Sequence, residues 1–274
     1  MKEHKEKGRG MRGITGLETA IILIAFVVVA AVFAYTVLSA GIFTTQKSQE
    51  TIYSGLTQAS SSMEMKSGVV LRNRVVGETV GTGDGSEDTF YTYYAPVAAD
   101  SQTVYVAGSA VTEGVEYNIT DATGAIVFTA GNIPTAGQAI TVDYTAASGK
   151  VATVTFVVAN SASGGSVDLT EPTRDNPPDG SPSSDSAHKA VLSYWDEDQR
   201  VTDVVWYKRQ LGYGDGDDLL EPGEQMEITA TLRGLTTKLD KDTKFKVEFK
   251  PAEGGVLVFE RTTPHKIDAV MDLK

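Results

Sequence analysis

An apolar run free of charged side chains extends from Thr19 to Gln46, and it is apolar on every side of a helix. The hydrocarbon core of a bilayer takes about 20 such residues, so this run exceeds one span. Farther along, Ile52, Leu56, Ala59 and Met63 recur at spacings of four, three and four, with Lys47, Gln49, Glu50 and Gln58 off that stripe. This is the period of a one-sided helix. The two patterns together predict a single helix over 14–66 that stops at Ser67-Gly68. Gly41 and Gly55 each weaken it by about 1 kcal/mol relative to alanine and mark candidate bends. A helix of about fifty residues measures roughly 75 Å, far more than a membrane requires.

Beyond Gly68 the period changes to two. VVLRNRVVG predicts a first strand, and VATVTFVV at 151–158 another. Met226, Ile228, Ala230 and Leu232 alternate with polar neighbours, as do Phe245, Val247 and Phe249. Such alternation belongs to half-buried antiparallel strands, and several of them with glycine turns suggest an immunoglobulin-like sandwich. Between about 77 and 149 the short runs TVYVAG, EYNIT, AIVFTAG and AITVDYTA read as a second, smaller β unit inserted into the first. A single larger sandwich is the other reading. The run TEPTRDNPPDGSPSSDSA at 170–187 is too polar and proline-rich to fold alone and is expected to be a loop or linker. The fold class is therefore α+β: a long N-terminal hydrophobic helix, then an immunoglobulin-like β-sandwich over 67–274 carrying a small inserted β domain.

Charge sharpens the picture at the N-terminus. Lys2, Lys5, Lys7, Arg9 and Arg12 precede Gly13, and five positive against two negative side chains hold this leader on the cytoplasmic side. The best small-residue cleavage site lies before the apolar run, at Arg12-Gly13, where an ordinary secretory signal would place it after. Cutting there would leave the apolar helix on the mature chain and change the formal charge from −12 to −15. So acidic a surface excludes nucleic acid as a partner and favours solubility of a surface polymer. Cysteine is absent, so neither disulfides nor thiolate metal sites are available.

The leader ending in Gly13, followed by Ile14, Thr15, Gly16, Leu17, Glu18 and the Val/Ala/Ile-rich helix, resembles the class III signal peptides shared by type IV pilins and archaellins, the archaeal flagellins. The continuation AGIFTTQKSQETIYSGLTQASSSMEMKSGVV is similar to archaellins in particular. Trp206 and LLEPGEQMEI resemble the family's β domain, whereas the middle of the chain departs from the short archaellin pattern. The resemblance implies a subunit of an extracellular swimming filament. It also implies a prepilin-type leader peptidase acting between Gly13 and Ile14, and a membrane platform with its ATPase to which the subunit is delivered from the membrane. Self-assembly would run through the helix, with Ile21, Val28, Ala31, Phe33 and Val37 as contact positions. The acidic β domains would lie on the outside. Two other readings remain: a pilin-like adhesion subunit, and a membrane-anchored receptor whose inserted β unit binds carbohydrate.

Few residues could carry chemistry. A carboxylate one turn into an apolar helix is costly to bury without a partner. By resemblance to pilins, Glu18 would pair with a neighbour's free α-amino group; otherwise it simply favours the helix N-terminus. Asp215, Asp217, Asp218 and Glu221 in GYGDGDDLLEPGE resemble a hard-cation loop for calcium or another divalent ion, with an acidic turn as the alternative. Asn118-Ile119-Thr120 is an N-glycosylation candidate. His4, His188 and His265 fit no spaced ligand or triad pattern, and GTGDGS lacks the lysine of a phosphate loop, so the chain is expected not to be an enzyme and to require no cofactor.

Overall fold

A computed structural model describes residues 11–60, 63–160 and 165–273, with α1 side chains described over 16–53 and at 55. Contacts divide the chain into Met1–Leu56 and Thr57–Lys274. The helix α1 (Met11–Ser60) runs 50 residues without a break through Gly41 and Gly55, neither of which has an atom near its Cα face. It ends earlier than the 14–66 expected from periodicity. Met63, the last member of the apparent stripe, lies in a strand and is buried in the β core. Helical spacing could not distinguish the two, because a single apolar residue after Ala59 satisfies either structure.

The β unit opens with β1 (Met63–Met65) and β2 (Val69–Arg72). The segment that follows holds β3 (Arg74–Thr82), β4 (Thr89–Tyr91), β5 (Thr103–Val106), β6 (Ser109–Ala110), β7 (Tyr117–Thr120), β8 (Ala125–Phe128) and β9 (Ala139–Thr145). The chain then supplies β10 (Thr153–Asn160), β11 (Val167–Asp168), β12 (Val191–Asp196), β13 (Arg200–Val201) and β14 (Trp206–Leu211). It closes with β15 (Leu219–Leu220), β16 (Gln225–Thr231), β17 (Lys244–Lys250), β18 (Leu257–Thr262) and β19 (Val270–Leu273).

A six-stranded sheet in the order β14-β16-β10-β2-β19, with β1 also on β10, faces a four-stranded sheet ordered β13-β12-β17-β18. All named pairings are antiparallel. Register puts Leu71, Val154, Ala230 and Trp206 side by side across the first sheet, with Met271 beside Leu71. Because side chains alternate in a strand, that row and its neighbour, which includes Phe156 and Ile228, point to one face. Phe156 meets Phe249 at 5.9 Å and Phe259 at 5.0 Å, and Trp206 meets Phe249 at 5.2 Å, so aromatic edges join the two sheets. The Trp206 indole N–H donates to the Ala190 carbonyl, which satisfies its only polar atom.

Residues 74–145 fold into two sheets of their own, β3-β9-β5-β6 and β4-β8-β7, inserted between β2 and β10. Their side chains nevertheless join the same continuous hydrophobic cluster as the sandwich. The joint is polar. Arg174, from the proline-rich loop, donates to the Tyr91 and Val80 carbonyls (3.1 and 2.8 Å) and lies 3.8 Å over the Tyr93 ring. Arg233, just past β16, donates to the Thr92 and Thr123 carbonyls (2.9 and 2.6 Å). The loop at 170–187 is thus irregular, as its composition implies, but anchored through Arg174.

Glu78 sits at the centre of this joint, buried. Its Oε1 accepts the Tyr93 amide (2.5 Å) and its Oε2 accepts the Tyr144 hydroxyl (2.7 Å). Burial pushes its pKa up to about 7, against the opposing pull of those two donors and of Arg174 and Arg233. A raised carboxyl pKa means that the folded chain holds the proton more tightly than the unfolded chain. The contribution is therefore full below the ordinary value of 4.5 and is lost as pH rises to about 7. That interval corresponds to about 3 kcal/mol. Chemical denaturation of the wild type between pH 4.5 and 7.5 is expected to show this loss, and Glu78→Gln is expected to remove most of the slope. Equal slopes in both proteins would assign the pH dependence to other groups.

Candidate assembly site

The apolar run of the sequence becomes a helical surface that nothing within its own unit covers. Ile21 is 58 % exposed, Val28 55 %, Phe33 69 % and Val37 55 %. Ala31 and Glu18 are exposed as well. At 100° per residue these positions are distributed around the circumference, so no single stripe suffices to hide them. The stretch Gly16–Tyr53 is long and apolar enough to cross a membrane. Gly13 and Ile14 lie in the first turn of α1, and their side chains are outside the described residues, as is the leader over 1–10.

The polar atoms along α1 are arranged for an apolar environment. The Thr36 hydroxyl donates to the Phe33 carbonyl, and those of Thr44, Thr45 and Thr51 donate to carbonyls four residues earlier, all at 2.8–2.9 Å. A hydroxyl turned back onto its own helix needs no outside partner. Charged groups reappear only after the run, where Lys47 pairs with Glu50 at 2.7 Å. Ala25, Ala30, Ala31, Ala34 and Gly41 supply small positions at which backbones of neighbouring helices can approach closely.

The other candidate groups remain separate. Asp218 pairs with Lys208 at 2.6 Å, Asp217 accepts the Leu219 amide, and Asp215 accepts the Asp217 amide. The Glu221 amide donates to Glu224. Asp215 and Asp217 thus close their own turn, and among the described residues no group of three or more acidic, histidine or cysteine side chains could hold a metal ion. Asn118 is exposed on β7, opposite Val127.

Sequence spacing missed one cluster. His188 Nδ1 lies 2.7 Å from Ser186 Oγ and its Nε2 2.9 Å from Asp203 Oδ1. Ser186 Oγ also accepts the Thr173 amide, so the trio ties the proline-rich loop to the turn before β14. The fold alone brings Asp203 to His188.

An all-round apolar N-terminal helix attached to a β unit with its own core is the architecture of a protein that passes through or anchors in a membrane, or packs its helix against other helices. The archaeal-type flagellin family profile matches residues 13–156, just over half of the chain. "Probable flagellin 1" of Archaeoglobus fulgidus is 31 % identical over 96 % of this chain and 95 % of its own, and "Probable flagellin 2" of the same organism is 30 % identical over 93 % and 91 %. The archaeal flagellum of Methanospirillum hungatei aligns over 94 % of this chain and 98 % of its own, at 22 % identity and a TM-score of 0.48. This chain belongs to the archaeal-type flagellin family. It is a structural subunit of an extracellular archaellum filament and not an enzyme. The matched range extends across the small β unit at 77–149.

A charge placed on α1 should act on assembly alone. Val28→Asp or Ala31→Glu is expected to abolish filaments, read by electron microscopy of sheared cell surfaces. Far-UV and near-UV circular dichroism should still report a folded β unit. Filaments at wild-type yield from either variant would remove α1 as the assembly surface.

Proposed function

We propose that α1 is the polymerisation element of this flagellin, and that the chain passes from the membrane into the filament by exchanging lipid for neighbouring copies of the same helix. The observation that carries this reading is the exposure of the whole run around α1, together with hydroxyls already satisfied within it. Burying one large apolar side chain contributes about 1.5–3 kcal/mol, so a run from Ile21 to Phe43 would contribute tens of kcal/mol before ordering costs. Contacts that repeat head-to-tail without closing generate an open helical polymer, here of this chain or of this chain with related flagellins.

A prepilin-type leader peptidase acting between Gly13 and Ile14 would expose an α-amino group four residues before Glu18. That amine and the Glu18 carboxylate of a neighbour would then neutralise one another and set subunit register in an apolar surrounding. A membrane assembly platform and its ATPase would supply the work of extraction. Asn118, exposed and outside the cell, would be available for an N-linked glycan. Swimming motility follows from rotation of the polymer, to which this chain contributes a stiff shaft.

Mass spectrometry of sheared filaments tests the processing step directly. The account expects a mature N-terminus at Ile14. A start at Met11 would move the cut and dismiss the Glu18 pairing, and an intact Met1 confined to membranes would indicate an anchored surface protein.

A further inference from the structure

A cleft of about 550 Å³ lies between the outer face of the six-stranded sheet and strand β3 of the inserted unit. Small-molecule sites fall within about 300–1,000 Å³. Strand register builds its floor. Arg72 stands opposite Thr153, the next outward row aligns Thr155, Thr229 and Tyr207, and the row after that sets Glu227 beside Arg209. These positions alternate with the core row of Leu71, Val154, Ala230 and Trp206, so the same strands that fill the core present hydroxyls and charges to the cleft. Glu78 and Tyr93 of the inserted unit form the opposite wall.

Two floor groups have hydrogen-bonding capacity that the fold leaves unused. Thr153 is 1 % exposed and its Oγ1 has no hydrogen-bond partner, an arrangement that costs stability unless something else fills it. The Arg72 guanidinium offers five N–H donors and makes no hydrogen bond or ion pair among the described residues. By contrast Arg209 is held by Glu227 at 2.9 Å and Lys208 by Asp218 at 2.6 Å. Glu171 lines the same cleft and accepts the Lys208 amide through one oxygen. Cations and carboxylates are therefore present in balance, which selects for neither an anion nor a cation. A ligand whose every polar group both donates and accepts satisfies both kinds of wall.

We propose that this cleft binds a neutral saccharide of one or two rings, with Arg72 and Thr153 receiving ring hydroxyls at one end and Glu227 and Glu171 accepting from hydroxyls at the other. The subunit would then carry a sugar-binding site on its β unit in addition to its role in the filament shaft. Because every residue lining the site belongs to the β unit, substitutions there leave the sequence of α1 unchanged.

Saturation-transfer NMR on sheared filaments, with maltose, lactose and N,N′-diacetylchitobiose as probes, tests the proposal. At least one of the three is expected to receive saturation. Arg72→Gln should reduce its affinity about tenfold, the effect of losing a charge-assisted hydrogen bond. Thr153→Val should weaken binding while holding or raising the thermal unfolding temperature, because the isostere removes an unsatisfied hydroxyl. A Thr153 with no part in binding would leave transfer unchanged in this variant. Both variants should give filaments at normal yield, so a lost signal would not reflect lost polymer. The proposal is overturned by no transfer from any of the three sugars, by transfer that neither substitution changes, or by transfer to glycine betaine alone, which would mark a zwitterion site.

Discussion

Removing the side chains of α1 from water is the constraint on which the rest of the molecule depends. A helix that is apolar on all sides has no face it can leave solvated, and its own β unit does not need it to form a core. Lipid can cover such a helix, and so can other copies of it, but water cannot. The details of α1 follow from this. Threonine hydroxyls bond back to helical carbonyls, charge is held off until Lys47 and Glu50, and small residues are scattered where another backbone would come close. A helix of 50 residues is also far longer than a bilayer requires.

The β unit answers a different demand, that of remaining folded and soluble outside the cell without disulfides. It does so by packing, with Trp206, Phe156, Phe249 and Phe259 joining two sheets edge to face. The inserted strands extend that core rather than forming a second one, and two arginines fasten the seam by donating to backbone carbonyls. Backbone acceptors do not depend on neighbouring side chains, so such a seam tolerates change on the insert's surface. The acidic excess of the chain keeps these units mutually repulsive when crowded along a polymer.

Much of this was legible in the sequence, where it depended on local period. The apolar run located α1, and alternation located the strands at 153–160, 225–231 and 244–250. The helix terminus was misplaced because Met63 continues the spacing of Ile52, Leu56 and Ala59 while its side chain belongs to the β core. Features made by distant residues left no local signal. Glu78 meets Tyr144 sixty-six positions later, Arg174 reaches back to Val80 and Tyr91, and Asp203 comes to His188 only through the fold. The acidic run at 215–221 shows the same dependence on distant partners. The fold brings Lys208 to Asp218, while Asp215 and Asp217 accept nearby backbone amides.

Hydroxyl-radical footprinting of sheared, native filaments tests the central claim most directly. In the separate chain Phe26, Phe33 and Tyr35 are 75 %, 69 % and 73 % exposed, close to the freely solvated Tyr213 at 97 %. If α1 is the polymerisation element, those three rings should be protected from oxidation in the filament while Tyr213 is labelled readily. Oxidation of Phe26, Phe33 and Tyr35 at a rate like that of Tyr213 in intact filaments would contradict the account.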